Sequence, residues 1–175
     1  PITFAMVADT QGSGGPASIV PQLALDISSH NPDFTIFAGD LVGTGGISTF
    51  SQWNAATNVL DRKRFMVPGN HDLPATTDAN WQSSFSYLPD SQSVPNITTS
   101  DPSDMIKGID KMDYYFDRGN SRFISVTTDS QAGAGGPPRA LDWFQSVMGL
   151  QSTKDKDHVF VYTHHSITTR PSDST

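Results

Sequence analysis

Four apolar runs along this chain each end on residues that bind cations. Ile2 to Ala8 is followed by Asp9, and Phe34 to Gly39 by Asp40. Phe65 to Gly69 is followed by Asn70 and His71, and His158 to Thr163 by His164 and His165. Runs of this length, rich in Phe, Val, Ile and Tyr, read as core strands. In open α/β sheets, ligands collect outside the carboxyl ends of the strands. The pattern therefore delivers a metal-suited side chain to one edge from each of four strands. Any single Asp or Asn there is an ordinary turn former or helix cap; four in step are not.

Between the strands the spacing predicts helices. Residues 16 to 30 carry Ile19, Leu23 and Ile27 on one face, with Asn31-Pro32 as the stop. Thr49 to Leu60 presents Phe50, Trp53 and Leu60, and Asp78 to Leu88 presents Trp81, Phe85 and Leu88. Pro138 to Met148 presents Leu141, Phe144 and Met148. Gln11 to Gly15 reads as a glycine-rich strand-to-helix turn. Tyr114 to Phe116 and Phe123 to Thr127 read as a hairpin around Arg118-Gly119-Asn120. Residues 89 to 112 are polar and carry three prolines, which predicts a surface loop or lid insertion. Strands alternating with helices, then a hairpin, then a further helix and strand, predict one α/β domain with mixed sheets over residues 1–175.

Composition excludes several classes of function. The net charge is −7, which leaves no basic face for nucleic acid or an anionic membrane. No apolar run approaches the roughly 20 residues of a membrane-spanning helix. With no cysteine, disulfides, thiolate metal sites and a cysteine nucleophile are all excluded. All 18 acidic residues are Asp, a residue suited to turns, caps and cation sites. The abundance of Ser and Thr and the scarcity of Lys point to an exported protein, periplasmic or secreted.

The strand-end set comprises carboxylates, an amide and imidazoles. Such oxygen and nitrogen donors suit Mn, Fe, Zn or Mg. Two carboxylates from different strands can hold two ions if one of them bridges. Ions roughly 3.5–4 Å apart clamp the attacking and leaving oxygens of phosphate displacement, and they lower the pKa of bound water toward about 7.

In order and spacing, Asp9-Thr10-Gln11, Gly39-Asp40-Leu41-Val42, Gly69-Asn70-His71-Asp72 and Tyr162-Thr163-His164-His165 resemble the signatures of calcineurin-like metallophosphoesterases. The Tyr114–Phe123 segment is similar to that family's central hairpin. The resemblance implies a sandwich of two mixed β-sheets flanked by helices. It implies a dinuclear centre in which Asp9 ligates the first metal, Asp40 bridges, and Asn70 and His164 ligate the second. His71 would face the phosphate and serve the leaving oxygen, Asp72 would orient the His71 ring, and Asn70 and His165 would line the substrate pocket. The implied reaction is hydrolysis of a phosphomonoester or phosphodiester, on a small molecule or a polymer, by metal-activated water.

Three departures bear on this expectation. Position 11 is Gln where the family most often has His; its carbonyl oxygen can coordinate, more weakly than imidazole for Zn or Fe, or can point at substrate. Gly43 stands where purple acid phosphatases place a tyrosine ligand, which argues against the tyrosinate-bearing subtype. The family's Gly-His-x-His motif would lie beyond Thr175, so the resemblance implies a C-terminally incomplete domain. Gln11 and the missing motif favour an alternative, a degenerate metal- or phosphate-binding domain without catalysis; the intact Gly-Asn-His-Asp tetrad favours the hydrolase.

Overall fold

The two strands that carry Asp9 and Asp40 run side by side and parallel. In a computed structural model describing residues 1–11, 19–61, 63–73, 78–88, 106–109, 111–128 and 136–166, β1 (Phe4–Val7) pairs with β2 (Phe34–Ala38), and β2 with β3 (Arg64–Val67). All three enter the site edge from the same direction. The second sheet has the order β4 (Ile106–Ile109), β5 (Asp113–Arg118), β6 (Ser121–Ser125), β7 (His158–Tyr162). Its first three strands are antiparallel and β7 runs parallel to β6. Parallel pairing of β6 with β7 requires a crossover, and α4 (Gly136–Gly149) and α5 (Gln151–Lys154) supply it.

Aromatic rings bind the sheets face to face. Phe34 meets Phe116 and Phe123 edge-on at 5.2 and 4.9 Å between centroids, and Phe65 stacks on Phe116 at 3.7 Å. Alternation then sends Phe37 to the other side of β2, where it meets Trp53 of α2 (Ile47–Ala56) at 4.8 Å. Phe50, Trp53, Trp81 and Phe85 close that outer layer, together with α1 (Val20–Ser29) and α3 (Asp78–Ser84). On the far side of the second sheet, Tyr115, Ile124 and Val126 pack against Ala140 and Val147 of α4. The layers are helix, sheet, sheet, helix.

Two helices bury only part of the stripe their largest residues predict: Ile27 and Phe144 pack against the core, and the rest is shifted. Ile19 is 65% exposed, and α1 faces the core with Val20 and Ala24. In α4, Leu141 and Met148 are exposed and Ala140 and Val147 are buried, with Trp143 and Phe144 beside them. Positions 140, 143, 144 and 147 satisfy the helical spacing as well as 141, 144 and 148 do.

Strand β1, at one edge of its sheet, is half-buried rather than enclosed, with Met6 55% exposed. Within the span expected as loop, 106–109 is a strand paired in register with β5. The Lys and Gly inside this four-residue segment hide it from pattern reading. Residues 89–105, and the glycines expected as a turn at 12–15, lie outside the described residues.

Candidate metal centre

Both strand-end aspartates leave the regular backbone. Asp9 and Asp40 have φ of 56° and 52°, and Gly39, ahead of Asp40, has 85°. Asp tolerates this left-handed region at a modest cost, while Gly39 adopts it freely. The strands do not separate there. Asp9 N donates to Gly39 O at 3.0 Å and Gln11 N to Asp40 O at 3.1 Å. These bonds hold residues 9–11 against 39–40, and both carboxylates emerge at one place.

Asp40 is the hub and is 4% exposed. Its Oδ1 accepts from the His71 backbone N–H at 3.0 Å and lies 3.5 Å from His164 Nε2. Its Oδ2 accepts from Gln11 Nε2 at 2.8 Å. Two glycines make room. A Cβ on Gly69 would lie 2.5 Å from the Asp40 backbone nitrogen, and one on Gly39 would meet the His164 ring.

His164 reaches across from the second sheet. Its Nδ1 lies 2.9 Å from Ala38 O. A carbonyl only accepts, so Nδ1 carries a proton, and Nε2 is the ring nitrogen turned toward Asp40. One ligand atom from each of Asp9, Asp40 and His164 lies within 4.8 Å of the others.

Asn70 and His165 stand beside this trio. His165 Nε2 donates to Asn70 Oδ1 at 3.1 Å, and the His164 and His165 rings are 4.7 Å apart. His165 is held by residues that carry no sequence motif. Thr128 Oγ1 accepts from its N–H at 3.1 Å and donates to its carbonyl at 3.0 Å, while Thr163 Oγ1 donates to the same carbonyl at 2.6 Å. Thr128 follows β6, and only the parallel pairing of β6 with β7 brings it to this turn.

The expected role of Asp72 is not what the structure shows. Its carboxylate accepts from the backbone N–H groups of Leu41, Val42 and Gly69 at 2.9–3.1 Å and does not touch the His71 ring. Burial pushes this carboxyl up to about 7, with Asp40 adding to the effect, against the three backbone donors that pull it down. Asp72 thus clamps the loop after β2 to the loop after β3. Gly43 O orients His71 instead, 3.0 Å from its Nδ1, so that His71 Nε2 is left free on an exposed ring. A Cβ at Gly43 would meet nothing within 4 Å.

The donor set fits cations. Two carboxylates and an imidazole with Nε2 directed inward are ligands for Mn, Fe, Zn or Mg. Beside them Gln11 Oε1 is buried without a hydrogen-bond donor among the described residues, an arrangement a cation relieves. Among the described residues, no helix is long and apolar enough to cross a membrane.

Comparison with known proteins agrees with this geometry. The family model described as calcineurin-like phosphoesterase matches residues 2–175. No match was found among curated protein sequences. Fifteen solved chains match, among them the purple acid phosphatase PPD1 isolated from yellow lupin (Lupinus luteus) seeds. The similarity is 16% in sequence with a TM-score of 0.57, and it covers 91% of this chain and 29% of the lupin chain. That is a likeness of fold, and this chain spans less than a third of the lupin protein's length. A family match along nearly the whole chain, two sheets flanked by helices, and an Asp–Asp–His cluster at the strand ends lead to one conclusion: the chain belongs to the calcineurin-like phosphoesterases, a metal-dependent family.

Proposed function

We propose that the chain carries the phosphoester-hydrolysing site of its family, built around a dinuclear centre. The observation that carries the reading is the meeting of Asp9, Asp40 and His164, from three strands and both sheets, with ligand atoms within 4.8 Å. Asp40 presents its two oxygens to opposite neighbours, Gln11 on one side and His164 on the other, as a bridging carboxylate must. Asp9 and Gln11 would hold one cation, and His164 and Asn70 the other. Cations bound there supply Lewis acidity toward a phosphoryl group and lower the pKa of water toward about 7.

The chain's own residues do the rest. The Gly43 carbonyl holds the Nδ1 proton of His71, so Nε2 is the atom that exchanges a proton with the leaving oxygen. His165 fixes the Asn70 amide beside the incoming phosphate. Asp72 keeps the Asp40 and Asn70 loops in register without meeting substrate.

The test is elemental analysis of the purified chain, followed by turnover of p-nitrophenyl phosphate and bis-p-nitrophenyl phosphate with added Mn²⁺. Two bound metals and turnover of either ester support the reading. A chain that loads metal and turns over neither ester is the non-catalytic binding domain. Absence of metal uptake ends both readings.

A further inference from the structure

The turn that carries His165 is fastened to the second sheet by a side chain outside every motif. Beyond the end of β6 the backbone stays pinned on both sides. Val126 N donates to Tyr162 O at 3.1 Å, and Thr127 N donates to Asp113 Oδ1 at 2.7 Å. The next residue, Thr128, therefore leaves the sheet at a fixed place. Its hydroxyl makes two bonds to one residue, accepting from His165 N at 3.1 Å and donating to His165 O at 3.0 Å. Thr163 Oγ1 also donates to that carbonyl, at 2.6 Å, but from two residues away, so it shapes the turn without anchoring it. Thr128 lies 37 positions away along the chain and supplies the anchor. The His165 ring continues the path. Asn70 Oδ1 only accepts, so His165 Nε2 carries a proton and donates to it at 3.1 Å. An amide oxygen has two lone pairs, and the one left is available to a cation. His165 is exposed, so packing alone does not fix its ring, and the hold on its backbone decides where the ring can reach.

We infer that Thr128 is a positioning residue of the metal centre: by fixing the His165 backbone it aims the His165 ring at Asn70 and so sets the orientation of the Asn70 amide. The inference rests on the metal-centre reading above and adds to it a residue that touches neither cation nor substrate. Outer groups that orient a ligand in this way typically change metal affinity about 10–100-fold.

The experiment follows the Asn70 side-chain NH₂ signals in ¹H–¹⁵N spectra of the metal-free 175-residue chain, assigned by their loss in Asn70→Asp. Mn²⁺ binding is then measured by calorimetry and electron paramagnetic resonance. The chains compared are wild type, Thr128→Val, Thr128→Ser, His165→Ala, and Thr128→Val combined with His165→Ala. Valine keeps the shape of threonine and loses both hydrogen bonds; serine keeps the hydroxyl. Thr128→Val should move the Asn70 signals toward their positions in His165→Ala and weaken Mn²⁺ binding about tenfold or more. Thr128→Ser should keep both at wild type. With His165→Ala already present, Thr128→Val should change neither any further, since the ring through which it acts is gone. A general loosening of the fold would instead add to the His165→Ala effect, and that result overturns the inference. Wild-type Asn70 signals or wild-type Mn²⁺ affinity in Thr128→Val also overturns it and leaves the centre standing. A wild-type chain that takes up no Mn²⁺ overturns the centre, and the role of Thr128 with it.

Discussion

Gly39 and His164 are in such close approach that a Cβ on the glycine would lie 2.5 Å from both Cγ and Nδ1 of the imidazole. The contact joins the end of β2 to the end of β7, and so joins the two sheets at the site. It also fixes the imidazole against the Ala38 carbonyl, which sets its tautomer.

Gly39→Ala should therefore damage stability and metal binding together. The new methyl group meets the ring, and φ of 85° is unfavourable for a residue with a Cβ. A loss of about 2–4 kcal/mol in urea unfolding without metal is expected from strain and overpacking combined. Mn²⁺ titration of the folded variant should show weakened binding; wild-type affinity would mean that the placement of His164 does not matter to the centre.

His71 and Asp72 are neighbours with opposite expected phenotypes. His71 is exposed, and His71→Ala should leave metal content and melting temperature close to wild type while turnover falls about 10²–10⁴-fold. Asp72→Ala strands three buried N–H donors and should cost about 3 kcal/mol or more, seen as a lowered urea midpoint before any kinetic effect is measured. Equal stability of the two variants would contradict the clamp assigned to Asp72.

Asp113 gives the fold a pH dependence away from the metal centre. Burial pushes its carboxyl from 3.8 to about 6, against the Thr127 N–H, which donates to it at 2.7 Å. The folded state thus holds a proton that the unfolded chain has released. Stability from this group is fully present below about pH 4, falls as the pH rises toward about 6, and is level above that. Two pKa units amount to roughly 3 kcal/mol. Asp113→Asn should flatten this slope in unfolding curves taken between pH 4 and 7; an unaltered slope would assign it to other groups.

The second sheet hides an ion pair. Arg122, fully buried, donates to both Asp117 oxygens at 2.7 and 2.9 Å and lies 3.9 Å over the Tyr115 ring. Arg122→Ala would leave the Asp117 carboxylate with Lys156 alone, at 3.0 Å. Removing one partner of a buried pair costs about 3–5 kcal/mol. Thermal unfolding should show that loss, and activity per folded molecule should be retained, since the pair lies in the second sheet and contacts no residue of the site.

What the sequence by itself determined is every strand but β4, and the residue types waiting at their ends. A strand is a local run of apolar residues, and a cation ligand is a residue type, so both are visible one residue at a time. The meeting of Asp9, Asp40 and His164 was legible for that reason, as were the buried Phe50, Trp53, Trp81 and Phe85. Tertiary structure decided whatever depends on which chain passes nearby. It turned Val20 and Ala24 of α1 and Ala140 and Val147 of α4 inward, leaving Ile19, Leu141 and Met148 exposed, because several stripes satisfy the helical spacing and only the docking chooses among them. It gave Asp72 to three backbone N–H groups rather than to His71, and it gave His71 to the carbonyl of Gly43. It also brought Thr128 under His165. Backbone carbonyls and N–H groups are the same at every position, so no pattern of side chains announces which of them will be the partner; only the packing of one strand end against another does.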